Sequence, residues 1–134
     1  MSVARGGGPA VDRPEVVLEV EAAFERYEAA LVEGDLPVLG ELFWDDARTE
    51  RVGPESRQHG AAEVRAHRAS LPRQTVPRRL VDTVVTTFGD DVACVTTTFV
   101  PLDAALPAGR QSQTWVRFAD GWRVVAAHVS YPSG

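Results

Sequence analysis

The sequence has a single cysteine, no long apolar run and no cluster of basic residues, and each absence excludes a class of protein. Cys94 alone can form neither an intrachain disulfide nor a cysteine-rich metal site, and its apolar neighbours predict a small buried side chain. No stretch approaches the roughly 20 apolar residues of a membrane-spanning helix. Residues 1–10 include three consecutive glycines and lack the apolar core of a signal peptide. We therefore expect a flexible tail over residues 1–11 and a cytoplasmic protein.

The charge balance argues against a nucleic-acid partner. Nineteen acidic residues against 14 basic ones give a net charge of −5, which repels phosphate backbones unless the basic residues are clustered. Arg78 and Arg79 open a predicted strand, and we interpret them as a solvated strand end. The 134 residues, 44% of them hydrophobic, suit one folded domain, which we place at residues 12–132.

The first half of the chain predicts three helices. Asp12, Pro14 and Glu15 have the pattern of a helix N-cap, a first-turn proline and a capping-box glutamate, and Gly34 supplies the stop. A second cap-and-proline signal starts a short helix at residue 35, which should end near Trp44. A short strand at residues 48–52 and a turn at residues 53–56 precede a third helix at residues 61–69. The first helix carries an apolar stripe at spacings of three and four: Val16, Val20, Phe24, Tyr27 and Leu31.

The second half is rich in valine, threonine and aromatic residues and predicts four strands. Tight turn signals at residues 89–90 and 120–121 and a longer loop at residues 103–109 join them as an antiparallel meander. The order of elements predicts an α+β fold in which three helices pack on a curved antiparallel sheet and leave a pocket. That order is similar to the nuclear transport factor 2-like (NTF2-like) cone. The predicted strands are residues 80–88, 92–102, 111–118 and 122–131.

Two residues are candidates for chemistry, each with an ordinary structural alternative. Tyr27 lies on the apolar stripe, so its hydroxyl is carried inward, where it is either a satisfied core group or a functional one. Arg51 lies on the short strand close to Gly53, where it could bind a carboxylate through two hydrogen bonds. The alternative is a surface ion pair with Glu50 or Glu55.

The remaining candidates depend on which sheet face points inward. Gln113 and Trp115 share one face of their strand, and a polar inner face would line a pocket, although antiparallel sheets more often expose their polar face. His128 is either a buried, hydrogen-bonded histidine or a general base. The three histidines, His59, His67 and His128, do not have metal-ligand spacing.

Several segments together resemble a known family. Over about residues 12–131 the chain resembles the SnoaL-like family that includes the oxalurate-catabolism protein of purine degradation and the dicarboxyurea decarboxylase of cyanuric-acid degradation. Residues 109–118 form its most specific motif. The other matching segments are residues 13–16, 23–28, 41–45, 86–89 and 120–130.

The resemblance implies an NTF2-like fold, a homodimer and a small carboxylated-urea or ureido acid as ligand. The sequence has no metal-ligand cluster or phosphate loop, so we also expect no metal or other cofactor. In the decarboxylase branch a tyrosine of the first helix and an arginine of the first strand are the catalytic pair, and they correspond to Tyr27 and Arg51. His59 and His67 stand where the family has aromatic residues, which puts the substrate in question. The substrate-binding residues that we predict are Trp44, Arg68, Gln113, Trp115 and His128.

Three functional hypotheses follow. The first is a cofactor-independent lyase that removes carbon dioxide from an N-carboxylated urea, with Tyr27 as general acid and Arg51 as carboxylate anchor. The second is a binding or accessory protein that uses the same pocket without turnover. The third is isomerase or cyclase chemistry, which needs a buried carboxylate base; Asp45 and Asp82 lie at predicted element ends and suit that role poorly.

Overall fold

The computed structural model describes residues 7–72 and 76–132. Residues 1–6 of the tail predicted over residues 1–11 lie outside the described residues. None of the described helices is long and apolar enough to cross a membrane. The helices are α1 (Pro14–Glu33), α2 (Leu36–Leu42) and α3 (Ala61–Ala69). The strands are β1 (Glu50–Val52), β2 (Arg57–His59), β3 (Arg78–Phe88), β4 (Val92–Pro101), β5 (Gly109–Phe118) and β6 (Gly121–Ser130).

Helix α1 forms where the apolar stripe predicts it, but its first residue is capped differently. The N-cap is Arg13, which makes no side-chain cap hydrogen bond. Asp12 instead has φ of 57° and its carboxylate accepts the backbone N–H of Thr87 at 2.9 Å, which ties the start of the helix to β3. Gly34 ends the helix in the left-handed conformation with φ of 74°. The capping role predicted for Asp12 is therefore wrong, whereas the glycine stop is confirmed.

Helix α2 is shorter than predicted. Asp35 caps it by accepting the Val38 N–H at 3.1 Å, and it ends at Leu42. Phe43 is extended, and the N–H of Trp44 donates to the carbonyl of Val124, so the chain has joined the sheet before it reaches Trp44.

The sheet is mixed, which corrects the antiparallel prediction. The order is β2-β1-β6-β5-β4-β3, and the four long strands pair antiparallel as predicted, but β1 runs parallel to β6 with Arg51 opposite Ala127. Strand β2, which the sequence did not predict, pairs antiparallel with β1. Six strands therefore form one sheet among the described residues.

The inner face of the sheet packs against α1 and forms the core. Trp115 and Val124 are fully buried there, and they enclose the stripe residues Val20 and Phe24 from the sheet side. The sequence left open which face of β5 points inward. The burial pattern along this strand decides it, since Gln111, Gln113 and Trp115 are buried and point inward.

The outer face of the sheet carries exposed apolar side chains with no helix over them in the described part of the chain. Val84 is 54% exposed, and Phe88 and Val92 are each 38% exposed. Cys94 lies on this face and is exposed, because the alternation along β4 turns its neighbours Ala93 and Val95 inward. The prediction that Cys94 is buried is therefore wrong.

One glycine of the sheet is required by a close approach. A Cβ at Gly109 would overlap the ring of Phe99, its partner across the β4–β5 ladder. We expect Gly109→Ala to lower the free energy of unfolding by about 1–3 kcal/mol, the usual cost of forcing an extra methyl group into a packed site. Urea unfolding measures it. The matched control is Gly40→Ala, whose Cβ would meet only Arg65 Cδ at 3.7 Å and should stabilise α2 by about 0.5–1 kcal/mol. Equal stability of Gly109→Ala and wild type would contradict the packing.

Candidate functional site

One cavity of about 290 Å³ brings together three of the predicted site residues. Tyr27 comes from α1, Arg51 from β1 and Arg68 from the last turn of α3. Arg78 lines the same cavity from the start of β3. The walls between these polar groups are apolar and include Leu31, Leu71, Phe99, Leu106, Val129 and Tyr131. Such a cavity combines apolar walls with a few convergent polar groups, as small-molecule sites do.

Tyr27 is held by aromatic contacts. It is 5% exposed, and its ring meets the edge of Trp115 at a centroid distance of 6.3 Å and an angle of 90°. Phe43 packs on another side at 6.2 Å. These contacts fix the ring, so the hydroxyl has a defined place relative to the cavity that the residue lines.

Arg51 is bound to a neutral partner and not to a carboxylate. Its Nη1 donates to Gln58 Oε1 at 2.8 Å. The surface pair considered from the sequence does not form with Glu50, because Glu50 is engaged by Arg57 at 2.7 Å and by the His59 ring at 2.9 Å.

The cavity is electrostatically positive. Burial is the main cause that lowers the pKa of Arg51, and the neighbouring charge of Arg68 lowers it further. Burial, Arg51 and Arg68, in that order, also lower the pKa of His67. Arg68 lies over the Phe43 ring at 5.5 Å, and no described carboxylate pairs with either Arg51 or Arg68. Two guanidinium groups thus share one cavity without a counter-charge from the described residues.

Arg78 lines the cavity, although the sequence pattern indicated a solvated strand end. Its side chain is 7% exposed, so it is not a solvated strand end. Two hydrogen bonds, at 2.7 and 3.3 Å, join it to Glu28, and a third at 3.2 Å reaches Gln111 Oε1. The guanidinium also lies over the Phe99 ring at 4.4 Å. The alternation of side chains along β3 could have indicated that Arg78 points inward, since it lies two residues from the inward-facing Leu80 and therefore on the same face.

Gln113 and Trp115 lie behind Tyr27 and support it. Trp115 Nε1 donates to Gln113 Oε1 at 2.9 Å, and both residues are buried. The Oε1 atoms of Gln111 and Gln113 accept hydrogen bonds from Arg78 and Trp115, whereas their Nε2 atoms have no hydrogen-bond partner in the described structure. These glutamines orient the groups that surround the cavity.

Trp44 and His128 lie away from this cavity. Trp44 stacks on Phe118 at 5.4 Å and borders a separate cavity of about 430 Å³. The arginines of that second cavity are paired with carboxylates, as in the contact of Arg65 with Asp45 at 3.2 Å. His128 is exposed on the outer face, in an open groove of about 320 Å³. The structure therefore does not bring either residue to Tyr27.

Comparison with known proteins finds relatives along nearly the whole chain. The AtzH-like family model matches residues 9–133. A cystatin-like fold protein from Burkholderia xenovorans is 47% identical, with a TM-score of 0.87 over 95% of this chain and 99% of that one. A protein of unknown function from the DUF3225 family, from Pectobacterium atrosepticum, is 46% identical, with a TM-score of 0.87 over 92% and 95% of the two chains.

A more distant match shows the fold alone. An NTF2-like protein of unknown function from Pseudomonas putida is 20% identical, with a TM-score of 0.75 over 91% of this chain and 90% of that one. The predicted NTF2-like α+β fold is thereby confirmed. No curated protein matches the chain.

The positive field of the cavity can be measured at His67. We expect its imidazole to titrate below the usual histidine range, because burial and the charges of Arg51 and Arg68 disfavour the protonated ring. Arg51→Gln removes one of those charges and should raise the pKa of His67. The readout is the pH titration of the imidazole proton signals by NMR, with His67→Gln to assign the signal. Arg48→Gln, on a side chain that is 78% exposed, is the control and should leave the midpoint of His67 unchanged. An unchanged midpoint in Arg51→Gln would contradict the coupling.

Proposed function

The chain belongs to the AtzH-like family, and on that premise we propose that it is a cofactor-independent lyase that removes carbon dioxide from a small N-carboxylated urea or ureido acid. One observation carries the proposal. Arg51 and Arg68, which have no carboxylate partner among the described residues, share a cavity with Tyr27.

The charges of the cavity favour an anionic ligand. Burying a cation without a partner is costly, and a bound carboxylate would supply the missing counter-charge. The planar guanidinium of Arg51 has donors left over after its bond to Gln58, and such a group binds a carboxylate through two parallel hydrogen bonds. A volume of about 290 Å³ admits a small acid.

Tyr27 supplies the second requirement of the reaction, a proton. In an N-carboxylated urea the bond between the urea nitrogen and the carboxylate carbon breaks, and its electron pair stays on the nitrogen. The carboxylate carbon leaves as carbon dioxide, and the nitrogen takes the Tyr27 hydroxyl proton. Water then returns a proton to the tyrosine. A nitrogen that can be protonated as it leaves needs no electron sink, so a general acid and a carboxylate anchor are sufficient.

Unpaired positive charge, and not size, distinguishes the Tyr27 cavity from the larger cavities as a site for an anion. The cavity beside Trp44 is larger, but its arginines are neutralised, and Arg123 there pairs with Asp120 at 3.2 Å. An anion placed there would have to displace an existing partner. The Tyr27 cavity offers two cations that a ligand can reach without that cost.

The catalytic pair can be tested with two substitutions. We expect Tyr27→Phe to slow turnover by about 10²–10⁴-fold with substrate still bound, because it removes only the hydroxyl proton donor. Arg51→Ala removes a charge-assisted contact worth roughly 1.5–3 kcal/mol, so it should weaken binding by about one to two orders of magnitude and slow the reaction as well. Carbon dioxide release from dicarboxyurea and calorimetric ligand binding are the measurements.

The matched control for these variants is Arg48→Ala. Arg48 is an exposed arginine that pairs with Asp46 outside the cavity, so its loss should leave both measurements unchanged. Wild-type turnover in Tyr27→Phe would refute the general acid. Binding of the acid by wild type without carbon dioxide release would replace the lyase with a binding protein that uses the same pocket.

We further propose that the outer face of the sheet is covered by a second copy of the chain. Val84, Phe88 and Val92 together expose apolar surface on a face that no described helix covers. Polar side chains lie beside them on the same face, among them Thr96, Ser112, Asp82 and Arg110, and an exposed apolar patch bordered by polar groups suits an interface related by two-fold symmetry.

The dimer has a direct test in solution mass. Light scattering at micromolar concentration should give twice the chain mass of 14.5 kDa for wild type. Val84→Glu places a charge on the outer face and should shift the mass toward the monomer. Leu18→Glu changes a residue of similar exposure on α1, at 66%, and should leave the dimer intact. A monomer mass for wild type would contradict the proposal.

A further inference from the structure

We propose that Gln58 is a positioning residue that fixes the Arg51 guanidinium and leaves its positive charge available to an anionic ligand. This inference rests on the proposed function, since it explains how the carboxylate anchor is built. Gln58 is not among the residues that the sequence predicted, and it makes its contact from β2, the strand that the sequence also missed.

The contact is built into the strand register. Gln58 lies directly opposite Arg51 in the β1–β2 pair, so their side chains leave the ladder on the same face. Gln58 is 6% exposed, and its Oε1 accepts Arg51 Nη1 at 2.8 Å. A buried acceptor at this distance restrains the long arginine side chain, which would otherwise sample many rotamers.

A second hydrogen bond restrains the Gln58 amide at its other end. Its Nε2 donates to Ser56 Oγ at 2.9 Å, which leaves Oε1 facing Arg51. The opposite orientation would set an N–H donor against the guanidinium, which has only donors. The donor-only guanidinium of Arg51 therefore sets the orientation of the amide, and the Ser56 hydroxyl satisfies its other end.

Gly53 leaves the space that the guanidinium occupies. A Cβ at Gly53 would lie 2.9 Å from Arg51 Nη1 and 3.3 Å from Nη2, closer than atoms normally approach. The guanidinium is thus seated between a glycine on its own chain segment and the amide of Gln58. A side chain at position 53 would have to displace the guanidinium from this seat.

The neutrality of Gln58 is the functional point, and the same cavity contains the contrasting case. Arg78 is held by the carboxylate of Glu28 at 2.7 Å, so that arginine is both positioned and neutralised. Arg51 is positioned by an amide and keeps its full charge. A carboxylate at position 58 would turn the Arg51 site into a second internal ion pair, and a ligand carboxylate would then have to compete with it.

Two substitutions of Gln58 separate charge from position. Gln58→Glu keeps the length and an acceptor oxygen but neutralises Arg51, and it should weaken carboxylate binding by about tenfold or more with no fall in melting temperature. Gln58→Met keeps the length and removes the acceptor, so it should weaken binding less than Gln58→Glu does. The probes are malonate and N-carbamoylglycine, measured by calorimetry at fixed ionic strength, with melting temperatures from the same preparations.

The control is Ala62→Glu, which adds the same charge at an exposed position in the first turn of α3 and should bind as wild type does. If wild type binds neither probe, or if Arg51→Ala binds the probes as well as wild type does, the proposed anion site is overturned and this inference with it. Wild type that binds through Arg51, together with unchanged binding in Gln58→Glu, would overturn only the role of Gln58. Weaker binding of Gln58→Glu accompanied by an equal loss in Ala62→Glu would reduce the effect to net charge and would also overturn it.

Discussion

The packing of α1 against the inner face of the sheet determines where everything else can lie. The buried stripe of this helix is filled by large side chains as far as Tyr27 and then by Ala30, the last buried residue before the helix ends. The cavity lies at this end of the helix, in the region lined by Tyr27 and Leu31. The same stripe that folds the domain therefore places an aromatic residue at the edge of the cavity, and core packing and site geometry are not independent.

Electrostatics give that space its character. Three arginines line it, and the fold neutralises one of them, Arg78, with Glu28 on the adjacent helix. Arg51 and Arg68 keep their charges, and burial, followed by the repulsion from Arg68, lowers the pKa of Arg51. Such an arrangement stores unfavourable free energy that an anion would relieve, which is a physical reason for affinity that does not depend on ligand shape.

The sequence predicted the parts of this structure that rest on periodicity. The spacing of Tyr27 on α1, the bounds of α3 and the four long strands could be found because each repeats a pattern over many residues. Strand β2 could not, because its three residues, arginine, glutamine and histidine, are all polar and show no alternation of apolar and polar side chains. Its pairing with β1, which the sequence did predict, brings Gln58 to Arg51, so the missed strand also hid the positioning residue. Trp44 does not reach the Tyr27 cavity because α2 ends at Leu42. In the extended chain that follows, Phe43 takes the inward position.

The motif at residues 109–118 shows how one strand constrains residues far from it. Gly109 lets the Phe99 ring lie across the strand, Phe99 supports the Arg78 guanidinium at 4.4 Å, and Arg78 reaches Glu28 on α1. Gln111, two residues further along the strand, accepts a hydrogen bond from that same guanidinium. A larger side chain at Gly109 would therefore disturb more than local packing, because it would displace the ring on which a buried ion pair rests. The neutralisation of Arg78 therefore depends on Gly109, a residue with no side chain. Because Arg78 is neutralised, Arg51 and Arg68 are the arginines of the cavity that keep an unpaired charge among the described residues.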